Sequence, residues 1–315
     1  MESTRARRGR RRRPSRRRPL LYTALALVAV TGVTAGGTVY VKARARTGAA
    51  AVSSAATPSA SPSAGVSEEA SVTRPAVDRN ALLSEAMDAV SVPSGAEVSA
   101  AVLAMDSAES AGYGTAAFDA ASIVKVDILA ALLLQAQDAG RQLTATQKAY
   151  ATKMIENSDN DSATQLWHAI GRADGLDAAN ERFGLTATSG GDGELWGLTQ
   201  TTAKDQLVLL QQVFGDASQL SAASRSYVQG LMESVETGQQ WGVSAAADDN
   251  STALKNGWLA RSTTGLWDVN SIGKVTVDGT GYLVAVLSKG TGSRASGITL
   301  VEAAAKAAVS AFTAA

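Results

Sequence analysis

Strand-like sequence near both ends of the chain, with helical periodicity between, predicts an α/β fold of the α+β kind. The expected architecture is an antiparallel sheet flanked by helices plus an all-helical subdomain over about 126–204, with a cleft between the two. Three observations carry this. Residues 97–105 read as an apolar, Val-containing strand. Residues 266–277 and 282–288 read as two strands joined by the turn Asp278-Gly-Thr-Gly281. Between residue 105 and about 250 lie only helix-spaced segments and turn-rich or glycine-punctuated loops. The strands come from opposite ends of the body, so one sheet must gather both ends.

In chain order, residues 1–19 are a basic head and 20–41 an apolar segment long enough to span a bilayer. Residues 1–46 hold 13 of the 29 Lys and Arg residues and a single acid, Glu2, leaving the remainder 16 bases against 28 acids, a net charge of −12. That order, basic then apolar, is the pattern of an export signal or signal-anchor, and cleavage near Val33-Thr34-Ala35 or retention as an anchor are both open. The segment around Arg16-Arg17-Arg18-Pro19 loosely resembles a twin-arginine signal. An acidic body excludes nucleic acid as the expected partner, and the membrane is contacted through the N-terminal segment only. The absence of cysteine removes disulfides, thiol catalysis and a lipoprotein anchor. Residues 42–77, rich in Ala, Ser, Thr and Pro, form a linker that cannot build a core. The body is 78–315, expected to be monomeric and displayed outside the cytoplasm.

Within the body, 80–90 has helical spacing and 106–114 is rich in turn residues. A buried helix is expected from Ser122 to Gly140, and another from Thr144, which with Gln147 has capping-box spacing, to Asn157. Helices follow over 163–170, 175–183, 201–214 and 222–234, with a five-glycine loop over 184–200. A short strand over 251–259 and an Ala-rich helix over 295–312 complete the body.

The chemistry centres on Ser122-Ile-Val-Lys125. Three residues apart on a helix, the two side chains share a face. A Ser hydroxyl is a weak nucleophile until a base takes its proton, and a lysine whose ammonium is destabilised by burial or charge can be that base. The helix start adds backbone N–H groups where an oxyanion could form. The plainer alternative is an N-cap Ser followed by a Lys that snorkels to solvent. Ser158-Asp159-Asn160 likewise reads as a helix cap, and Lys255-Asn256-Gly257 as a hairpin turn, although the residues around it are extended in character. His168, the only histidine, lies in a helix beside Trp167 and is expected to be structural.

Taken in order, Ser122-Ile-Val-Lys125, Ser158-Asp159-Asn160 and Lys255-Asn256-Gly257 resemble the Ser-x-x-Lys, Ser-Asp-Asn and Lys-Thr/Ser-Gly set of class A β-lactamases and penicillin-binding proteins. The resemblance covers roughly residue 78 to the C-terminus. It implies that Ser122 forms an acyl-enzyme, with Lys125 as its base and Ser158 relaying a proton to the leaving nitrogen. Asn160 would touch Lys125 and the substrate amide, and Lys255 would hold a substrate carboxylate. Gly257 would leave room for substrate along its strand, and the N–H groups of Ser122 and Trp258 would form the oxyanion hole. The implied substrates are small-molecule β-lactams or peptidoglycan peptides, and no cofactor or metal is called for.

The sequence departs from class A at the loop Glu and at residue 256, and its segment between Lys125 and Ser158 is shorter than the resemblance leads one to expect. Class A members carry a loop Glu, in a Glu-x-x-Leu-Asn context, that activates the deacylating water. The matching stretch, 185–201, has only Asp192 and Glu194, in a setting that reads as a solvated turn. Asn256 also replaces the hydroxyl residue expected to touch a substrate carboxylate. Acylation is therefore expected and slow deacylation with it. Three readings stand: a β-lactamase-like hydrolase, a cell-wall D,D-peptidase, or a binding or sensor module of the same fold.

Overall fold

A computed structural model describes residues 77–248 and 251–313. The basic head, the apolar segment 20–41 and most of the linker lie outside the described residues.

The sheet does gather both ends. Its five strands are β1 (Glu97–Ala104), β2 (Ser110–Tyr113), β5 (Ala253–Ala260), β6 (Trp267–Val277) and β7 (Thr280–Thr291), in the order β2-β1-β7-β6-β5. Each neighbouring pair is antiparallel, with Val102 opposite Val284 on β7 and Ile272 on β6 opposite Ala285. The short strand β2 sits within the turn-rich stretch 106–114, because Ser110–Tyr113 completes a tight hairpin on β1. A two-stranded ribbon of β3 (Phe118–Asp119) and β4 (Gln200–Thr201) ties the segment leading to Ser122 to the end of the glycine-rich loop.

Helices α1 (Arg79–Asp88) and α8 (Arg294–Thr313) pack together and against the sheet. Small residues let α8 lie close: a Cβ on Gly297 would fall 2.3 Å from Val269 Cγ2. By length and composition α8 could cross a membrane, but half of its most apolar stretch is buried inside the fold, as expected of a core helix.

The helical stretch consists of α2 (Val124–Asp138), α3 (Ala145–Glu156), α4 (Asn160–Ile170), α5 (Arg172–Phe183), α6 (Ala203–Phe214) and α7 (Ala222–Glu233). The predicted capping box forms at the start of α3, where Thr144 Oγ1 accepts from Gln147 N and Gln147 Oε1 accepts from Thr144 N. Helix α2 is the hub. Twelve of its 15 residues are buried, so it has no solvent face, and it carries Lys125 and Asp127 into the interior.

Candidate active site

Ser122 lies in a single 3-10 turn, Ala121–Ile123, that runs directly into α2. Its side chain caps nothing, so the N-cap reading fails. The turn is held from three sides. Ala120 N donates to Thr199 O (2.8 Å), and Asn270 Nδ2 on β6 donates to the carbonyls of Asp119 (2.9 Å) and Ala120 (3.0 Å). Arg261, at the end of β5, pairs with Asp119. Ala121 adopts a φ of +49°, a left-handed conformation unusual for a residue with a Cβ. Such strain persists only where the surroundings over-determine it, as the three anchors do here.

Lys125 does not snorkel; it has no exposed surface. Its Nζ donates to Ser158 O (2.7 Å), Ser158 Oγ (3.1 Å) and Asn160 Oδ1 (2.8 Å). All three donors are thus directed at the Ser-Asp-Asn segment. Ser122 Oγ makes no hydrogen bond among the described residues.

The middle motif serves two purposes at once. Asp159 is the N-cap of α4, its Oδ1 accepting from Ser162 N at 2.8 Å, as the capping reading expects. Ser158, at φ +56°, turns its carbonyl and hydroxyl toward Lys125. Asn160, the first residue of α4, supplies the third acceptor.

Lys255-Asn256-Gly257 lies in the middle of β5, paired residue by residue with β6, and the hairpin-turn reading fails. Strand alternation sends Lys255 and Asn256 to opposite sides. Lys255 Nζ reaches Ser158 Oγ (3.1 Å) and Asn256 O (2.8 Å), while Asn256 Nδ2 ties the strand to the carbonyls of Gln239 (2.7 Å) and Trp241 (2.9 Å). Asn256 is therefore a structural tether. Gly257 is needed for a reason closer to the backbone than substrate clearance. A Cβ there would sit 2.7 Å from Ser122 N, 2.8 Å from Ile123 N and 2.9 Å from Ala120 O. Strand β5 thus lies directly against the Ser122 turn, with Trp258 next along it.

Burial pulls the Lys125 ammonium down to about 7, with Asp159 opposing. Lys255 is lowered well below its ordinary value by burial first and then by the charge of Lys125. Burial, rather than repulsion from Lys255, is what lowers the Lys125 ammonium. A group brought down to about 7 can both hold and release a proton near neutrality.

The glycine-rich loop is more firmly held than its composition suggests. Trp167 Nε1 donates to Gly193 O (2.8 Å), Gly190 N to Asp177 Oδ1 (2.7 Å), and Ala187 N and Thr188 Oγ1 to Asp205 Oδ2 (2.7 and 2.8 Å). Its carboxylates do not turn inward to the lysine. Asp192 is exposed, and Glu194 is half-exposed, bound by His168 Nε2 (2.5 Å) and by Arg172 Nη2 (2.9 Å). Those partners, His168 first, hold the Glu194 carboxyl below its usual range. His168 is an exposed loop anchor, consistent with its structural reading.

Sequence reasoning missed several contributors. Asn270 carries no motif, and only its pairing opposite Gly257 exposes its role. Trp196 lies with its ring 5.0 Å from Lys125 Nζ. Arg294 stacks on Trp258 at 3.9 Å, beside Trp241. Aromatic residues in loops and at strand ends give no periodic signal, so nothing in the sequence marked these contacts.

A family profile described as the Beta-lactamase enzyme family matches residues 134–312. The chain belongs to that family. No curated protein matches it. Among solved structures, PBP-A is similar with a TM-score of 0.64 at 20% identity, covering 75% of this chain and 97% of that one. A class A beta-lactamase from Bacteroides cellulosilyticus DSM 14838 gives 0.63 at 16%, covering 75% and 99%. A beta lactamase from Burkholderia vietnamiensis gives 0.63 at 20%, covering 76% and 98%. The expected fold, an antiparallel sheet with helices in the β-lactamase arrangement, is the observed one.

Proposed function

We propose that this member of the Beta-lactamase enzyme family is an exported serine hydrolase that transfers the acyl group of an amide or ester, β-lactams included, onto Ser122. The observation that carries this is Ser158 Oγ held between two buried lysines, 3.1 Å from Lys125 Nζ and 3.1 Å from Lys255 Nζ. That arrangement provides a proton path from a base on the nucleophile's own helix to a hydroxyl facing the cleft. In the reaction, Ser122 Oγ bonds to the carbonyl carbon as its proton passes to neutral Lys125. The N–H groups of Ser122 and Trp258 receive the oxyanion. Collapse breaks the carbon–nitrogen bond, with Ser158 handing a proton to the leaving nitrogen and taking one from Lys125.

Strand β5 is the sheet's edge, and between its end and the loop runs a groove of about 620 Å³ lined by Thr164, Trp196 and Leu198 on one side and Leu259 and Arg261 on the other. An edge strand facing a groove suits an extended, peptide-like substrate. The loop's Glu194 is engaged by His168 and Arg172, which favours slow release of the acyl group and hence the peptidase-like reading over an efficient β-lactamase. The basic and apolar N-terminal segments support export of the body.

A labelled penicillin followed by intact mass tests this. Wild type should gain one covalent adduct that persists, and Ser122→Ala none. An undiminished adduct in Ser122→Ala would refute the assignment.

A further inference from the structure

The loop over 185–201 brings an indole to the catalytic lysine. Residues Trp196–Leu198 form a 3-10 turn, closed by Leu198 N donating to Leu195 O (2.8 Å) and Thr199 N to Trp196 O (3.1 Å). Beyond it, Thr199 O takes the Ala120 N–H, two residues before Ser122, so turn and nucleophile are linked through one backbone hydrogen bond. Trp196 Nε1 donates to Thr164 Oγ1 on α4 (3.2 Å), which fixes the ring plane. In that position the ring centroid is 5.0 Å from Lys125 Nζ. Two residues earlier, Glu194 is bound by His168 and Arg172. The loop therefore meets Lys125 with an apolar ring, while its nearest carboxylate is held by other partners.

We propose that Trp196 sets the lifetime of the Ser122 acyl-enzyme by covering the side of Lys125 from which a water would be activated. This rests on the acyl-enzyme reading above. In deacylation, a water oxygen bonds to the acyl carbon and gives one proton to a base. The bond from that carbon to Ser122 Oγ then breaks, and Ser122 recovers a proton. Neutral Lys125 could be that base only if water reached it. Three of its neighbours are the acceptors Ser158 O, Ser158 Oγ and Asn160 Oδ1, and Trp196 is the fourth. The other charged groups near it are Asp159 at the N-cap of α4 and Lys255 on β5. An indole in this position also adds to the dehydration that keeps the lysine neutral.

The test uses benzylpenicillin as the probe. The full-length protein is acylated, excess drug is removed, and the adduct's decay is followed by intact mass in wild type, Trp196→Phe, Trp196→Leu and Trp196→Ala. Acylation rate against pH and melting temperature are measured for each. We expect Trp196→Phe to keep the lifetime within about twofold. Trp196→Ala should shorten it by about 10- to 100-fold, approaching the lower end of what a positioned general base contributes. The midpoint of the acylation pH profile should move upward in Trp196→Ala, as the ammonium becomes hydrated, and stay in place in Trp196→Phe. A purely structural role would lower the melting temperature without moving that midpoint. Should Trp196→Ala fail to fold, Trp196→Leu is read in its place, with a shortened lifetime expected. An unchanged lifetime in the folded variants, with acylation intact, overturns the role of Trp196 and leaves the acyl-enzyme standing. Absence of any adduct in wild type, or one that survives Ser122→Ala, overturns the acyl-enzyme reading and this inference together.

Discussion

Replacing Asp127 should flatten the dependence of stability on pH. Asp127 lies two residues past Lys125 on α2, with no exposed surface and, among the described residues, no hydrogen bond of regular geometry to either carboxyl oxygen. Burial, with added repulsion from Asp177 and Asp205, raises its carboxyl from 3.8 to about 8, although Asn180 on α5 opposes the shift. The folded-state value lies above the unfolded one, so the folded chain holds a proton that the unfolded chain gives up near pH 4. The protonated group's contribution is fully present below the unfolded value and is lost as pH rises toward the folded value. The window spans about four pH units at about 1.4 kcal/mol each, a total on the order of 5 kcal/mol. Asp127→Asn keeps the shape and cannot ionise. Urea unfolding of wild type and variant from pH 4.5 to 8.5 should therefore give a difference that is small at the acid end. It should grow in the variant's favour with pH and level off above about pH 8. Taking the difference cancels the other groups, Lys125 included. A difference independent of pH, or one favouring wild type at alkaline pH, would show that Asp127 is ionised in the fold and paired in some other way.

Further outcomes follow from the site. The rate of acylation should rise with pH through a midpoint near 7, the value to which burial brings Lys125, and Lys125→Met should remove both the limb and the acylation; stopped-flow kinetics with a chromogenic cephalosporin reads this. Gly257→Ala pushes a methyl into the backbone of the nucleophile turn at 2.7 Å from Ser122 N, and should cost about 1–3 kcal/mol of stability and about 100-fold in acylation. Chemical denaturation and burst kinetics check the two parts separately. Glu194→Gln should leave the acyl-enzyme lifetime unchanged, because that carboxylate is bound by His168 and Arg172; a lifetime that lengthens markedly would make Glu194 the deacylating base after all.

Much of the framework was legible in the sequence because it rests on local rules. The α2 run from Ile128 to Leu134 is apolar without interruption, Thr144 and Gln147 are spaced for a capping box, and Asp278-Gly279 is a turn between strands. Strands at both ends of the body could be satisfied only in one sheet. The three motifs name residues whose chemistry needs one another, so their order was informative before any distance was known. Local rules also misread some of the same residues. Lys255-Asn256-Gly257 has the composition of a turn, yet β6 captures it as the centre of a strand. Only the tertiary structure decided that Lys125 is buried and its ammonium lowered, since dehydration depends on α4, β5 and the loop together. It alone placed Asn270, Trp196 and Arg294, whose roles come from pairing across strands and from loop closure. It alone turned Glu194 to His168 and Arg172, because the direction of a carboxylate in a glycine-rich loop is set by what anchors that loop. The residue types and their order were fixed by the chain; their protonation, and the groups that shield them from water, are properties of packing.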